Sequence, residues 1–238
     1  MKKIKQLAAI GSMMLLLVSC SKMKGEGPVV TEVRTLPQFT GLILKVPGET
    51  ILTQGPQFKV ELVAQQNILD EIETVMSGSD LTIKFRKNNT NVRSHDEPVF
   101  RITMPFIDKA EIHGSGNLTA SAAVDAELID LLINGSGFME FSNLKATELL
   151  AKTNGSGKIR VKAGTADRAD LQISGSGDIE VADLLSKDAE VQISGSGKVE
   201  VNAAETLKVH ISGSGKVKYR GTPVITSNVS GSGSIGRL

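Results

Sequence analysis

If this chain performs acid–base chemistry, its best candidates are Glu180 and Glu200. They occupy equivalent places twenty residues apart, each three residues past a Gly-Ser-Gly tripeptide. Stacked on adjacent strands, their carboxyls would lie about 5 Å apart, the separation at which retaining glycosidases work. The same stacking predicts two outward columns: Thr119, Glu140, Arg160, Glu180, Glu200, Lys218, and beside it Asn117, Phe138, Lys158, Asp178, Lys198, Lys216. Arg160, Lys198 and Lys218 therefore flank the two glutamates. Cations at that range hold carboxylates ionised, with no proton to donate, and opposite charges across strands are ordinary sheet stabilisation. The column reads as a salt ladder.

The other chemistry-bearing residues are weaker still. His95, His113 and His210 share no ligand-like spacing, so no metal site is expected. A calcium roll needs a nine-residue Gly-Gly-x-Gly-x-Asp repeat; here the period is twice as long, and only Asp178 directly follows a turn. Gly231, Gly233 and Gly236 match a dinucleotide fingerprint in spacing but lack its strand-turn-helix setting. Serine hydrolysis would draw on His113 or His210, with no orienting acid evident for either. The reading is therefore no catalytic residues, no cofactor and no enzyme. Phe138 is the outward aromatic to watch.

The elements that would position these residues are repeats. Gly-Ser-Gly stands at Gly114-Ser115-Gly116, Gly135-Ser136-Gly137, Gly155-Ser156-Gly157, Gly175-Ser176-Gly177, Gly195-Ser196-Gly197, Gly213-Ser214-Gly215 and Gly231-Ser232-Gly233. The spacings are 21, 20, 20, 20, 18 and 18 residues. Apolar residues alternate with polar ones on both sides, as in Leu171/Ile173 before a turn and Ile179/Val181 after it, the period-2 signature of half-buried strands. One unit cannot bury its own apolar face, but a stack can. The expected fold is all-β, a parallel β-helix (β-solenoid) in which each repeat is strand, bend, strand and a looser return of about ten residues. A β-sandwich of regular hairpins is the alternative. The turn serines are expected to form a structural ladder whose hydroxyls satisfy backbone groups at the bends.

Residues 33–109 are β-rich without clean repeats and read as atypical first coils that cap the stack. Phe39–Val46, Phe58–Ala64, Asp80–Arg86 and Pro98–Met104 carry the strand pattern, Gln65–Glu73 a short helical turn or loop, and Lys87–Glu97 a polar loop. No cap is evident after residue 233. Because an open edge invites pairing, either the N-terminal half folds over it or another chain does, making a homo-oligomer through the C-terminal edge one expected partnership.

Composition agrees with such a fold. There is no Trp, one Tyr and seven Phe, so Ile, Val, Leu and Ala must fill the interior, and a sugar platform of exposed rings is not expected. Removing Lys2, Lys3 and Lys5 from the 27 basic side chains leaves 24 against 26 acidic ones, which gives no electrostatic reason to bind nucleic acid. A charged start, an apolar run from Leu7 to Val18 and the segment Leu17-Val18-Ser19-Cys20 make an export signal. The run is too short to span about 30 Å of hydrocarbon as a stable helix. Leu17-Val18-Ser19-Cys20 resembles a bacterial lipobox, which implies cleavage before Cys20, lipidation of its thiol and an outer-membrane address. The organisation is then a signal peptide over 1–19, a flexible lipidated tether over 20–32 and one domain over 33–238. Surface-exported lipoproteins of Bacteroidetes-like bacteria carry an acidic cluster after that cysteine. Here the tether is basic apart from Glu26, so the periplasmic face and the cell surface both stay open.

The start Arg34-x-Leu36-x-x-Phe39, the approach through Pro105 and the serial Gly-Ser-Gly turns each followed by an aliphatic residue resemble the "putative auto-transporter adhesin head GIN domain" family across residues 33–238. The resemblance implies a β-helical envelope lipoprotein of Bacteroidetes type with an adhesin-like or ligand-binding role, and it brings no catalytic residues. Polysaccharide and envelope proteins are the partners to consider, besides the membrane reached through Cys20. The competing readings are a polysaccharide-acting β-helix enzyme using Glu180 and Glu200, and a self-associating structural protein.

Overall fold

A computed structural model describes residues 22–87 and 90–238, so the lipobox and Cys20 lie outside the described residues. The chain is a β-solenoid, and its register is set at the Gly-Ser-Gly corners. The first glycine of each corner takes a positive φ, 129° at Gly175, where a Cβ would come 2.5 Å from the Gly155 carbonyl oxygen one coil below. Only glycine fits that approach. The next amide then reaches down: Ser176 N donates to Gly155 O at 2.8 Å, and Ser136, Ser156, Ser196, Ser214 and Ser232 repeat the bond at 2.8–2.9 Å. The ladder at the corners is thus built from serine amides. This corrects the expectation for the hydroxyls, which point to solvent and make no hydrogen bond to any described residue.

The long strands β11 (Asn117–Gly135), β12 (Phe138–Gly155), β15 (Asp178–Gly195) and β16 (Lys198–Gly213), with the shorter β13 (Lys158–Val161) and β14 (Gly164–Gly175), stack in parallel. Side chains alternate across them, so Ile112, Ile133, Thr153, Ile173, Ile193 and Ile211 form one buried inward column. Leu118, Met139, Ile159, Ile179, Val199 and Val217 form another. The return segments are themselves strands, with Leu144, Gly164 and Leu184 in register, where the sequence suggested something looser. Their alternation is hidden because coil length changes there: irregularities at Ala120/Ala123 and from Val181 to Asp188 absorb the steps from 21 to 20 and from 20 to 18 residues. Bulges of this kind take up residues without breaking the ladder elsewhere.

The N-terminal half supplies both coils and their closure. β3 (Gly41–Lys45) and β4 (Glu49–Gln54) lie parallel to β10 (Lys109–Gly114) and the start of β11. Beyond them β7 (Asp80–Phe85) and β9 (Val99–Met104) add one more parallel coil. Direction then reverses: β6 (Ile72–Ser77) runs antiparallel to β7, β5 (Lys59–Gln65) to β9, and β2 (Val29–Arg34) to β5. The single-turn α1 (Gln66–Leu69) buries Ile68 and Leu69 at this end. The cap therefore closes the end away from the C-terminus, and the suggestion that it folds over the C-terminal edge is corrected. At that edge β18 (Val224–Gly231) and β19 (Ser234–Arg237), among the described residues, pair on one side only, with β16 and with β17 (Lys216–Arg220).

The segment expected as a flexible tether is also held from its first described residue. β1 (Lys22–Met23) pairs in parallel with β8 (Asn91–Val92). Asn67 then takes the Glu26 amide and donates to the Lys24 carbonyl, both at 2.9 Å.

Candidate binding surface

Both outward columns come out in the expected register, with Glu180 beside Glu200 and Arg160. Glu180 accepts from Lys158 and Arg160 at 2.7 Å. Arg160 also reaches Glu140 at 3.5 Å, while Lys198 and Lys162 pair with Glu200 and Glu140 at 2.5 Å. Burial works to raise the Glu180 pKa, but the hydrogen bonds from Lys158 and Arg160 outweigh it and hold the carboxyl below the ordinary glutamate range. Lys158 and Arg160 are pushed upward chiefly by the same bonds, and Lys198 by its hydrogen bond with Glu200. An acid this firmly ionised cannot protonate a leaving group. Phe138 is half-buried rather than a free platform, with the Arg160 guanidinium over its ring at 5.8 Å.

One sequence reading needs amendment. His113 does have a carboxylate partner: its Nε2 lies 2.8 Å from Glu111 Oε2. Ser115 follows on the same outward face, yet no hydrogen bond joins it to His113, so the nucleophile–base contact is not formed. His95 sits by Asp96 at 3.2 Å. Among the described residues no group of three or more His, Cys, Asp or Glu could hold a metal ion.

An apolar hollow with a volume of about 750 Å³ lies where the end of β4 and the turn between β9 and β10 meet β11 and β12. Phe106, from the turn between β9 and β10, projects into it and is 70% exposed. Leu128 and Ala126 of β11 continue the apolar lining. Acids surround it: Asp108, Asp125, Glu127 and Glu148. Among the described residues two of these form ion pairs, Asp125 with Lys145 at 3.5 Å and Glu148 with Arg168 at 3.9 Å, while Asp108 lies within Coulomb range of Lys109. Gln54, at the end of β4, fastens the walls together. Its Nε2 donates to Pro105 O at 3.0 Å and Asp125 O at 2.9 Å, and its Oε1 accepts from Asp125 N at 2.7 Å. Little in the residue pattern marks this site: Phe106 follows the strand alternation of β9 and reads as core. The available signal was Pro105, which ends that pattern one residue earlier.

Comparison with known proteins follows the fold. The family model described as "Putative auto-transporter adhesin, head GIN domain" matches residues 38–223. Among solved structures, a "putative adhesin" from Bacteroides fragilis is 23% identical, with a TM-score of 0.85 over 91% of this chain and 100% of that one. A "putative adhesin" from Parabacteroides distasonis is 21% identical, with a TM-score of 0.72 over 92% and 100%. A "Putative lipid binding protein" from the same species is 23% identical, with a TM-score of 0.71 over 92% and 100%. No curated protein matches the chain.

Proposed function

The chain belongs to the head GIN domain family, and from that footing we propose that it is a non-catalytic, adhesin-like binding module of the cell envelope. The observation that carries this reading is the outward face of the solenoid. Its carboxylates stand in ion-paired columns, and the His113–Glu111 couple beside Ser115 lacks the contact to that serine. Such a surface presents groups at regular intervals to an elongated partner, polysaccharide or protein, as solenoid faces do. Lipidation at Cys20 would hold it to the outer membrane, each buried methylene contributing about 0.8 kcal/mol. With Lys22 already paired, the anchor would leave the capped end almost no reach from the bilayer.

Two measurements test the proposal. Residues 22–238 incubated with a polysaccharide panel should retain some glycan or envelope protein while releasing no products. Turnover abolished by Glu180→Gln or by Ser115→Ala would replace the reading with the enzymatic one. Cys20→Ser should move the protein from the membrane to the soluble envelope fraction. Digestion of intact cells with a non-penetrating protease then separates cell surface from periplasm.

A further inference from the structure

We propose that the hollow beside Phe106 docks a protein segment in which an apolar side chain is flanked by lysines or arginines. The inference deepens the binding-module reading by naming the chemistry of one partner. Three features point to it. Phe106 stands 70% exposed, whereas Phe39, Phe100 and Phe141 are fully buried, so the fold leaves a large apolar ring in water at this one place. An aromatic anchor of that kind is the usual centre of a protein–protein contact.

The charge around the ring has one sign. Glu127 has no cation partner among the described residues, Asp108 feels Lys109 only at Coulomb range with no salt bridge to it, and the partners of Asp125 and Glu148 stand at 3.5 and 3.9 Å on exposed side chains that an incoming cation could displace. A neutral sugar would leave those charges unanswered, and an acidic or phosphorylated ligand would be repelled. A basic segment completes them, and charge complementarity also speeds encounter.

The site is also preformed. The three Gln54 hydrogen bonds tie the turn to β11, and the turn's Asp108 amide donates to Thr40 O at 3.0 Å while its carbonyl accepts from Asp130 N at 2.8 Å. A partner meets fixed walls and spends little on ordering them.

The test uses residues 22–238 and two rhodamine-labelled peptides, one alternating lysine with leucine and one alternating glutamate with leucine, read by fluorescence anisotropy. The basic peptide should bind at least about tenfold more tightly than the acidic one, and high salt should weaken it. Phe106→Ser should weaken it by a similar factor, as should Asp125→Asn combined with Glu127→Gln. These side chains are exposed, so unchanged thermal unfolding will show that the variants fold. Equal binding of the two peptides, or indifference to Phe106→Ser, overturns the proposal. Capture of neutral dextran that depends on Phe106 does so as well, assigning the hollow to glycans. A chain that fails the peptide test but retains envelope partners through another face loses this site and keeps the broader function.

Discussion

Thr153 is the one hydroxyl in a buried inward column otherwise made of isoleucines, and its Oγ1 has no hydrogen-bond partner among the described residues. Replacing it with valine removes an unsatisfied group at nearly constant volume. Thr153→Val should stabilise the fold by about 1 kcal/mol, raising the melting midpoint by about 2–4 °C; a lowered midpoint would mean the hydroxyl is satisfied. The corner geometry makes a sharper forecast. Gly175→Ala forces a Cβ into a positive-φ site beside the Gly155 carbonyl and should cost about 3 kcal/mol. Ser176→Ala removes an exposed hydroxyl and should change stability by less than about 0.5 kcal/mol. If the two alanines cost the same in chemical denaturation, the amide ladder is not what fixes the corner. At Glu180 the depressed folded pKa means stability that is fully present above the unfolded value of about 4.3 and lost as the pH falls through the lower folded value. Glu180→Gln should therefore cost about 1 kcal/mol at pH 7, and the gap to the parent should close in acid unfolding experiments below pH ~4.

Among the elements, those that repeat were legible and those that reverse were not. Seven copies of one tripeptide with alternating flanks fix strand, bend and register together, and the charge columns followed from counting residues. The antiparallel cap has no such internal copy. β2 buries no residue fully and β6 only Ile72, so they find their places through tertiary partners β5 and β7, which a local pattern cannot reveal. The return strands were obscured by the bulges that adjust coil length, and the Phe106 hollow by being assembled from four segments far apart in sequence. β18 is an element whose composition does speak. It is exposed along its whole length and is the only described strand of five or more residues with no charged side chain. Edge strands are normally guarded by charge or proline. Residues 22–238 should therefore self-associate with rising concentration in light scattering, and Thr226→Lys should keep them monomeric. A parent chain that is monomeric throughout would show that the edge is protected in some other way.

For the molecule as a whole, sequence periodicity conveyed architecture better than activity, because a solenoid repeats its scaffold and not its site. The Phe106 hollow sits where periodicity fails, between the turn after β9 and the coils of β11 and β12. The closure of one end by antiparallel strands has a further consequence. A stack of parallel coils with two bare ends is a template for unlimited growth, each copy adding to the last as one coil adds to the next. Here antiparallel strands cover one terminus, so a contact between two copies of the C-terminal edge would be isologous and would close about a two-fold axis. Joined in that way the protein forms pairs, and a fibre has nowhere to begin.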